Sequence, residues 1–252
     1  MSKKEKAILI TGASGGIGSS ICKVFYDDGY FVIATDIEDN GVFRDKFLSL
    51  DLLNLSNSKD SRSEIRQNLE DILKNKELAG IINNAAIQLT DDIENIDLDD
   101  FQKTLDINLK APLILIQECL SFLKQSKGTI VNIGSIHSKL TKNGFLSYAV
   151  SKSAIEGLTK SLSVELGKDG ITTNLIQPAA TQTRMLEAGF EKNLESMAQL
   201  EKSHPLKRIA SPSEIAKIAL FLIQNNDLFI NGATISVDGG IGNLLHDPMS
   251  ES

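Results

Sequence analysis

The chain contains no tryptophan, only two cysteines, five prolines and three histidines among its 252 residues. Cys22 and Cys119 stand singly on expected helices, far from any Cys-x-x-Cys spacing. That pattern offers neither a disulfide framework nor a thiolate metal motif, so both read as core thiols of a reducing compartment. His137, His204 and His246 are scattered without ligand spacing, and no metal site is expected. No apolar run approaches the roughly 20 residues that a membrane span needs. Basic residues are outnumbered, 26 Lys and Arg against 33 Asp and Glu, for a formal net charge of −7 with no basic cluster. Nucleic-acid phosphates require a basic face, so nucleic acid is not expected as a partner. The opening Met1-Ser-Lys-Lys-Glu-Lys6 runs straight into an apolar segment, which leaves no room for a signal peptide and points to the cytoplasm.

What is present is a 41% hydrophobic content, enough for one large α/β core. Apolar strand candidates fall near residues 6–11, 30–35, 46–50, 79–83, 127–133, 171–176 and 233–237. Helical patterns lie between them near 16–28, 61–75, 98–126, 147–168 and 212–224. This alternation predicts a single doubly wound domain over 1–252, a seven-stranded parallel sheet with helices on both faces and a short tail at 241–252. The acidic cluster Asp91, Asp92, Glu94, Asp97, Asp99 and Asp100 lacks a calcium-loop pattern. It is read as Asp97 capping a helix whose first turn carries solvated acids.

The first strand, Ala7 to Ile10, enters Gly12-Ala-Ser-Gly-Gly-Ile-Gly18 and then the helical pattern Ile17, Ile21, Val24, Phe25. Glycines at such a turn let the backbone approach a pyrophosphate, and the free N–H groups of the helix start bind its oxygens. The second strand candidate, Phe31-Val-Ile-Ala-Thr-Asp36, ends in a carboxylate eighteen residues past Gly18. An acid there accepts the ribose hydroxyl protons of an adenosine and repels a 2′-phosphate. Ile37, Glu38 and Asp39 follow it and no Arg or Lys stands in the turn, so NAD(H) is favoured over NADP(H).

Tyr148 and Lys152 are four residues apart, which puts them on one helix face. A tyrosine ionises near pH ~10, and a close ammonium stabilises its phenolate, giving an acid/base usable near neutrality. Ser135, thirteen residues before Tyr148 at an expected strand end, can donate to a substrate carbonyl.

With these motifs in order, the sequence resembles the short-chain dehydrogenase/reductase family in its compact soluble form of about this length. The resemblance runs from Ala7 to about Gly240 and extends to Asp51-Leu52, to Asn83-Asn-Ala-Ala86 and to Asn108. It implies a Rossmann fold and a catalytic set of Asn108, Ser135, Tyr148 and Lys152, with Asn108 holding a water of a proton relay that starts at Lys152. It also implies a dinucleotide site built from Gly12, Ser14, Gly16, Ile17, Gly18, Asp36, Ile37, Asp51, Leu52, Asn84, Ala85, Ala86, Tyr148, Lys152, Pro178, Thr181 and Thr183. Ala86 and Ala179 stand where the family usually has glycine, and alanine there is strained if the backbone needs a positive φ.

Residues 182–210 are expected to form a lid, and Gln88, Ser135, His137, Phe145, Met185 and Leu186 to face the substrate. Apolar stripes on helices 107–126 and 147–168 match the family's intersubunit helices, implying a homotetramer or homodimer. The implied activity is hydride transfer between NAD(H) and a small-molecule secondary alcohol or ketone. The alternatives are an NADPH-dependent 3-oxoacyl-carrier reductase and a non-catalytic dinucleotide-binding sensor.

Overall fold

The computed structural model describes residues 4–188 and 194–245. Seven strands form one parallel sheet in the order β3-β2-β1-β4-β5-β6-β7. They are β1 (Glu5–Thr11), β2 (Phe31–Asp36), β3 (Lys46–Ser49), β4 (Lys76–Asn83), β5 (Thr129–Ile133), β6 (Thr172–Pro178) and β7 (Thr234–Val237). All seven expected strands are present. Ala7, Ile8, Leu9 and Ile10 are wholly buried because β1 is sandwiched on both faces, which is why it reads as an unbroken apolar run.

Helices cover both faces. One core joins β1, β4 and β5 to α3 (Lys59–Ile72), α5 (Ala111–Ser126) and α6 (Leu146–Gly167) through Leu69, Leu115 and Leu162. The other packs α1 (Gly16–Asp27) and α9 (Pro212–Gln224) through Ile21, Phe25 and Ile215. Cys22 and Cys119 lie one in each core. Burial raises both thiols, Cys22 to about 12. The remaining helices are α2 (Leu52–Asn57), α4 (Leu98–Leu105), α7 (Arg184–Ala188) and α8 (Leu194–Ser203). Asp97 caps α4, its carboxylate accepting from the Asp99 N–H at 2.8 Å.

Two expectations are corrected. The helix expected over 98–126 is broken by a π-helical turn at Asp106–Lys110, where the Ala111 N–H reaches back to the Asp106 carbonyl. The Asp106 carbonyl also accepts from the Ser56 hydroxyl at 2.8 Å, so the widened turn is held from outside. Between β3 and α3, where the sequence shows no helical period, α2 forms over six residues. Asp51 caps it through the N–H groups of Leu53 (2.8 Å) and Asn54 (3.3 Å).

The strand order reverses at β1, whose neighbours are β2 and β4. Loops leaving the carboxyl ends of β1 and β4 part at that point and open a crevice.

Candidate active site

A cleft of about 970 Å³ opens over the carboxyl ends of the strands. Its floor begins at the glycine turn. Gly12 has φ +65°, and a Cβ there would lie 2.7 Å from Ala85 Cα. Gly18 is tighter, since its Cβ would stand 2.0 Å from the Gly12 carbonyl oxygen. Asn84 braces the turn, its amide donating to the carbonyls of Thr11 and Gly12, both at 3.0 Å. The N–H groups of Asn84 and Ala85 bind the Thr11 hydroxyl at 3.0 and 3.1 Å. At Gly15, α1 starts with no side-chain cap and no acid in its first turn. The leading N–H groups of Gly16 and Ile17 therefore face the cleft with positive partial charge, which suits an anion such as a pyrophosphate.

Asp36 stands at the end of β2 with both carboxylate oxygens engaged: Oδ2 accepts from the Ser14 N–H (2.9 Å) and Oδ1 from the Ile37 N–H (2.8 Å). Asp51 and Leu52 line the cleft, and so do Ile37, Ala85 and Ala86. Pro178, Thr181 and Thr183 line the other wall. The Thr183 methyl sits over the glycine turn, 2.8 Å from where a Gly16 Cβ would be. Ala86 and Ala179 have ordinary dihedrals: among the described residues the non-glycine positive φ angles are those of Lys127 and Lys207. The methyl groups therefore trim the cleft without straining it.

Deeper in, Ser135, Tyr148 and Lys152 meet at the end of β5. The Tyr148 hydroxyl end lies deep enough for burial to raise its pKa, and the neighbouring Ser135 hydroxyl partly offsets that rise. Lys152, 4% exposed, places Nζ 5.5 Å from the Tyr148 ring centroid and donates to the Ile133 carbonyl at 2.9 Å. Burial brings Lys152 down to about 8. The lowering of Tyr148 expected from Lys152 is not the effect that opposes burial: burial dominates both groups, and the Ser135 hydroxyl supplies the opposing effect at Tyr148. Asn108 lies on the π turn, behind the cleft wall. Its Oδ1 accepts from the Ile87 N–H (2.8 Å), and its Nδ2 donates to the Ile87 carbonyl (2.9 Å) and to the Ser151 hydroxyl (3.0 Å).

At the mouth, the His137 ring stacks on Phe145 at 4.6 Å between centroids and meets Tyr148 edge-on at 5.7 Å. Burial, then the charge of Lys142, lowers the His137 pKa, so the ring is neutral at pH 7. Gln88 and Leu186 line the cleft, while the Met185 side chain and His246 lie outside the described residues. Ser14 and Gly18, expected at the dinucleotide, do not line the cleft: Gly18 is buried, and the Ser14 hydroxyl turns away to donate to the Glu38 carbonyl. The sequence reading missed Arg184, which reaches the Ser14 carbonyl at 3.3 Å across 170 residues of chain, and His204, 2% exposed at the end of α8. No local pattern flags a contact of that separation. No helix among the described residues is long and apolar enough to cross a membrane.

Residues 12–242 match the family described as Enoyl-(Acyl carrier protein) reductase. The chain is 31% identical to an acetoacetyl-CoA reductase of Acinetobacter sp., over 94% of this chain and 98% of that protein. It is 34% identical to a 3-oxoacyl-[acyl-carrier-protein] reductase of Rickettsia typhi, over 94% and 96% of the two chains. Its fold matches that of ligand-free Thermoplasma acidophilum aldohexose dehydrogenase with a TM-score of 0.89 at 26% identity, covering 99% and 98% of the two chains. The chain belongs to the short-chain dehydrogenase/reductase family of oxidoreductases.

Proposed function

We propose that this chain interconverts a secondary alcohol and a ketone with NAD(H), using Ser135, Tyr148 and Lys152, with Asn108 in support. The observation that carries the reading is the meeting of Ser135 and Tyr148 above Lys152 in the same cleft as the uncapped glycine turn. When bound, the dinucleotide supplies or accepts the hydride. The N–H groups of Gly16 and Ile17 would hold its pyrophosphate, Asp36 would accept from the adenosine ribose, and Pro178, Thr181 and Thr183 would hold the nicotinamide. Tyr148 donates a proton to the substrate oxygen during reduction, and Ser135 fixes that oxygen by a hydrogen bond. Lys152 carries a positive charge beneath the ring, and Asn108 keeps the backbone of Ile87 in place beside the cofactor.

The named relatives favour a 3-oxoacyl thioester as substrate, and the aldohexose dehydrogenase favours a polyol; both carry the secondary alcohol or ketone this site handles. The domain acts in the cytoplasm as a homotetramer or homodimer; of the lid expected over 182–210, residues 189–193 lie outside the described residues, and α7 and α8 are the parts that would close over the substrate. The test is Tyr148→Phe, assayed with acetoacetyl thioesters and with aldohexoses. Turnover should fall by about 10²–10⁴-fold while NADH binding is kept. Undiminished turnover refutes the catalytic role, and a wild-type protein that binds NADH but turns over nothing in either panel points to the sensor.

A further inference from the structure

Asp36 and Arg184 grip the same residue from opposite sides. The carboxylate takes the Ser14 N–H at 2.9 Å, and the guanidinium donates to the Ser14 carbonyl at 3.3 Å. The acid expected to reject a 2′-phosphate therefore has a cation one residue's width away, delivered by α7. Arg184 is exposed and lines the cleft, and among the described residues no carboxylate lies within ion-pair distance of it. Arg44, in the loop before β3, is otherwise committed: it pairs with Asp39 and donates to the Val42 carbonyl at 2.6 Å. Glu38 contributes its backbone, its carbonyl accepting from the Ser14 hydroxyl at 2.7 Å. Two backbone N–H groups already bind the Asp36 oxygens, which draws part of the negative charge away from an incoming phosphate.

We propose that Arg184 is a specificity-determining residue that binds the 2′-phosphate of NADP(H), so that the site accepts both dinucleotides. The inference rests on the dinucleotide site proposed above. A planar guanidinium already held by one backbone contact can present its remaining N–H donors to a phosphate in a charge-assisted pair. In NAD(H) the 2′-position is a hydroxyl, which Asp36 takes, and Arg184 gains nothing. Helix α7 thus brings the discriminating cation, and the glycine turn needs none of its own.

The test is a fluorescence titration of the full chain with NADH and, separately, NADPH; the chain has no tryptophan to obscure it. The wild type should bind NADPH within about tenfold of NADH, and Arg184→Ala should weaken NADPH about tenfold while moving NADH by less than about twofold. Arg184→Lys should fall between, because it keeps the charge and loses the fork. The NADPH affinity of the wild type should also fall more steeply with added salt than that of Arg184→Ala. Equal losses for both cofactors would place the guanidinium on the shared pyrophosphate and overturn the assignment, as would no change for either. A wild type that binds NADH but not NADPH overturns the inference alone, and one that binds neither overturns the dinucleotide site as well.

Discussion

Burial moves the two partners on α6 in opposite directions, and each towards its uncharged form. Tyr148 is raised above its ordinary value of 10, so it stays protonated through the neutral range. A protonated phenol suits a proton donor to a ketone and disfavours a proton acceptor. Ketone reduction should therefore keep a flat kcat/KM from about pH 6 to 7 and fall only as Lys152 loses its charge at about 8, while alcohol oxidation should climb with pH as the phenolate forms. A reduction profile that falls across that interval would contradict the assignment. Lys152 titrates near about 8 in the folded chain against 10.5 when exposed. Below about 8 both states carry the proton and the buried charge costs stability. Between about 8 and 10.5 the unfolded chain binds more protons, so stability rises with pH and the cost is relieved. Lys152→Met should thus stabilise the cofactor-free protein at pH 7 by about 1–3 kcal/mol, the gain shrinking towards pH 10, while turnover is lost. Thermal melts across pH check this; a variant that melts below the wild type at pH 7 would show that the Ile133 hydrogen bond outweighs the charge burial.

The strand–turn–helix element around the glycines separates what builds the fold from what closes it. At Gly18 a methyl group would meet the Gly12 carbonyl at 2.0 Å and the Asn84 amide at 2.8 Å, contacts with the turn and with the side chain that braces it. At Gly16 it would meet the Thr183 side chain at 2.8 Å, which belongs to the segment before α7. Gly18→Ala should cost about 3 kcal/mol or more and abolish dinucleotide binding. Gly16→Ala should leave the melting temperature nearly unchanged and weaken binding by displacing the wall above. Similar losses of stability in both would show that the Thr183 segment is integral to the turn. This element was legible in the sequence because its signals are local: an unbroken apolar run, glycines at a junction, then a 3.6-residue period. Helix α2 escaped because it spans only six residues. The π turn at Asp106–Lys110 escaped for a different reason. One extra residue per turn barely disturbs the apolar period on either side, and its stabilisers come from elsewhere in the chain. Ser56 binds the Asp106 backbone, and Asn57 reaches the Asp106 carboxylate at 3.3 Å. Asn108 was identified as a site residue by its motif, yet its grip on Ile87 could be seen only once the turn was in place.

At the scale of the whole molecule, the sheet's two faces are covered, yet apolar surface remains on the back of α6. Expected stripes on α5 are mostly absorbed internally: Ile114, Ile116 and Leu123 are buried against the sheet. On α6, Leu146, Val150 and Val164 are 38%, 42% and 82% exposed. With Gly157, whose Cβ position meets nothing within 4 Å, they fall on one line at 3.6 residues per turn. Tyr148 and Lys152 project from the opposite side of the same helix, into the cleft. A second copy laid along the open stripe would thus press on the back of the helix that carries the proposed acid/base pair. A small residue at the centre of the stripe lets two such helices approach closely, and a two-fold axis would make the contact self-complementary. Light scattering should accordingly give a multiple of the monomer mass for the wild type. Gly157→Glu combined with Val164→Glu, both exposed and remote from the cleft, should reduce it to the monomer. If α6 owes its position to this pairing, the monomeric variant should also lose turnover while circular dichroism stays unchanged. A wild type that is monomeric from the start would instead leave the stripe as ordinary exposed surface and place all support for Tyr148 and Lys152 within one chain.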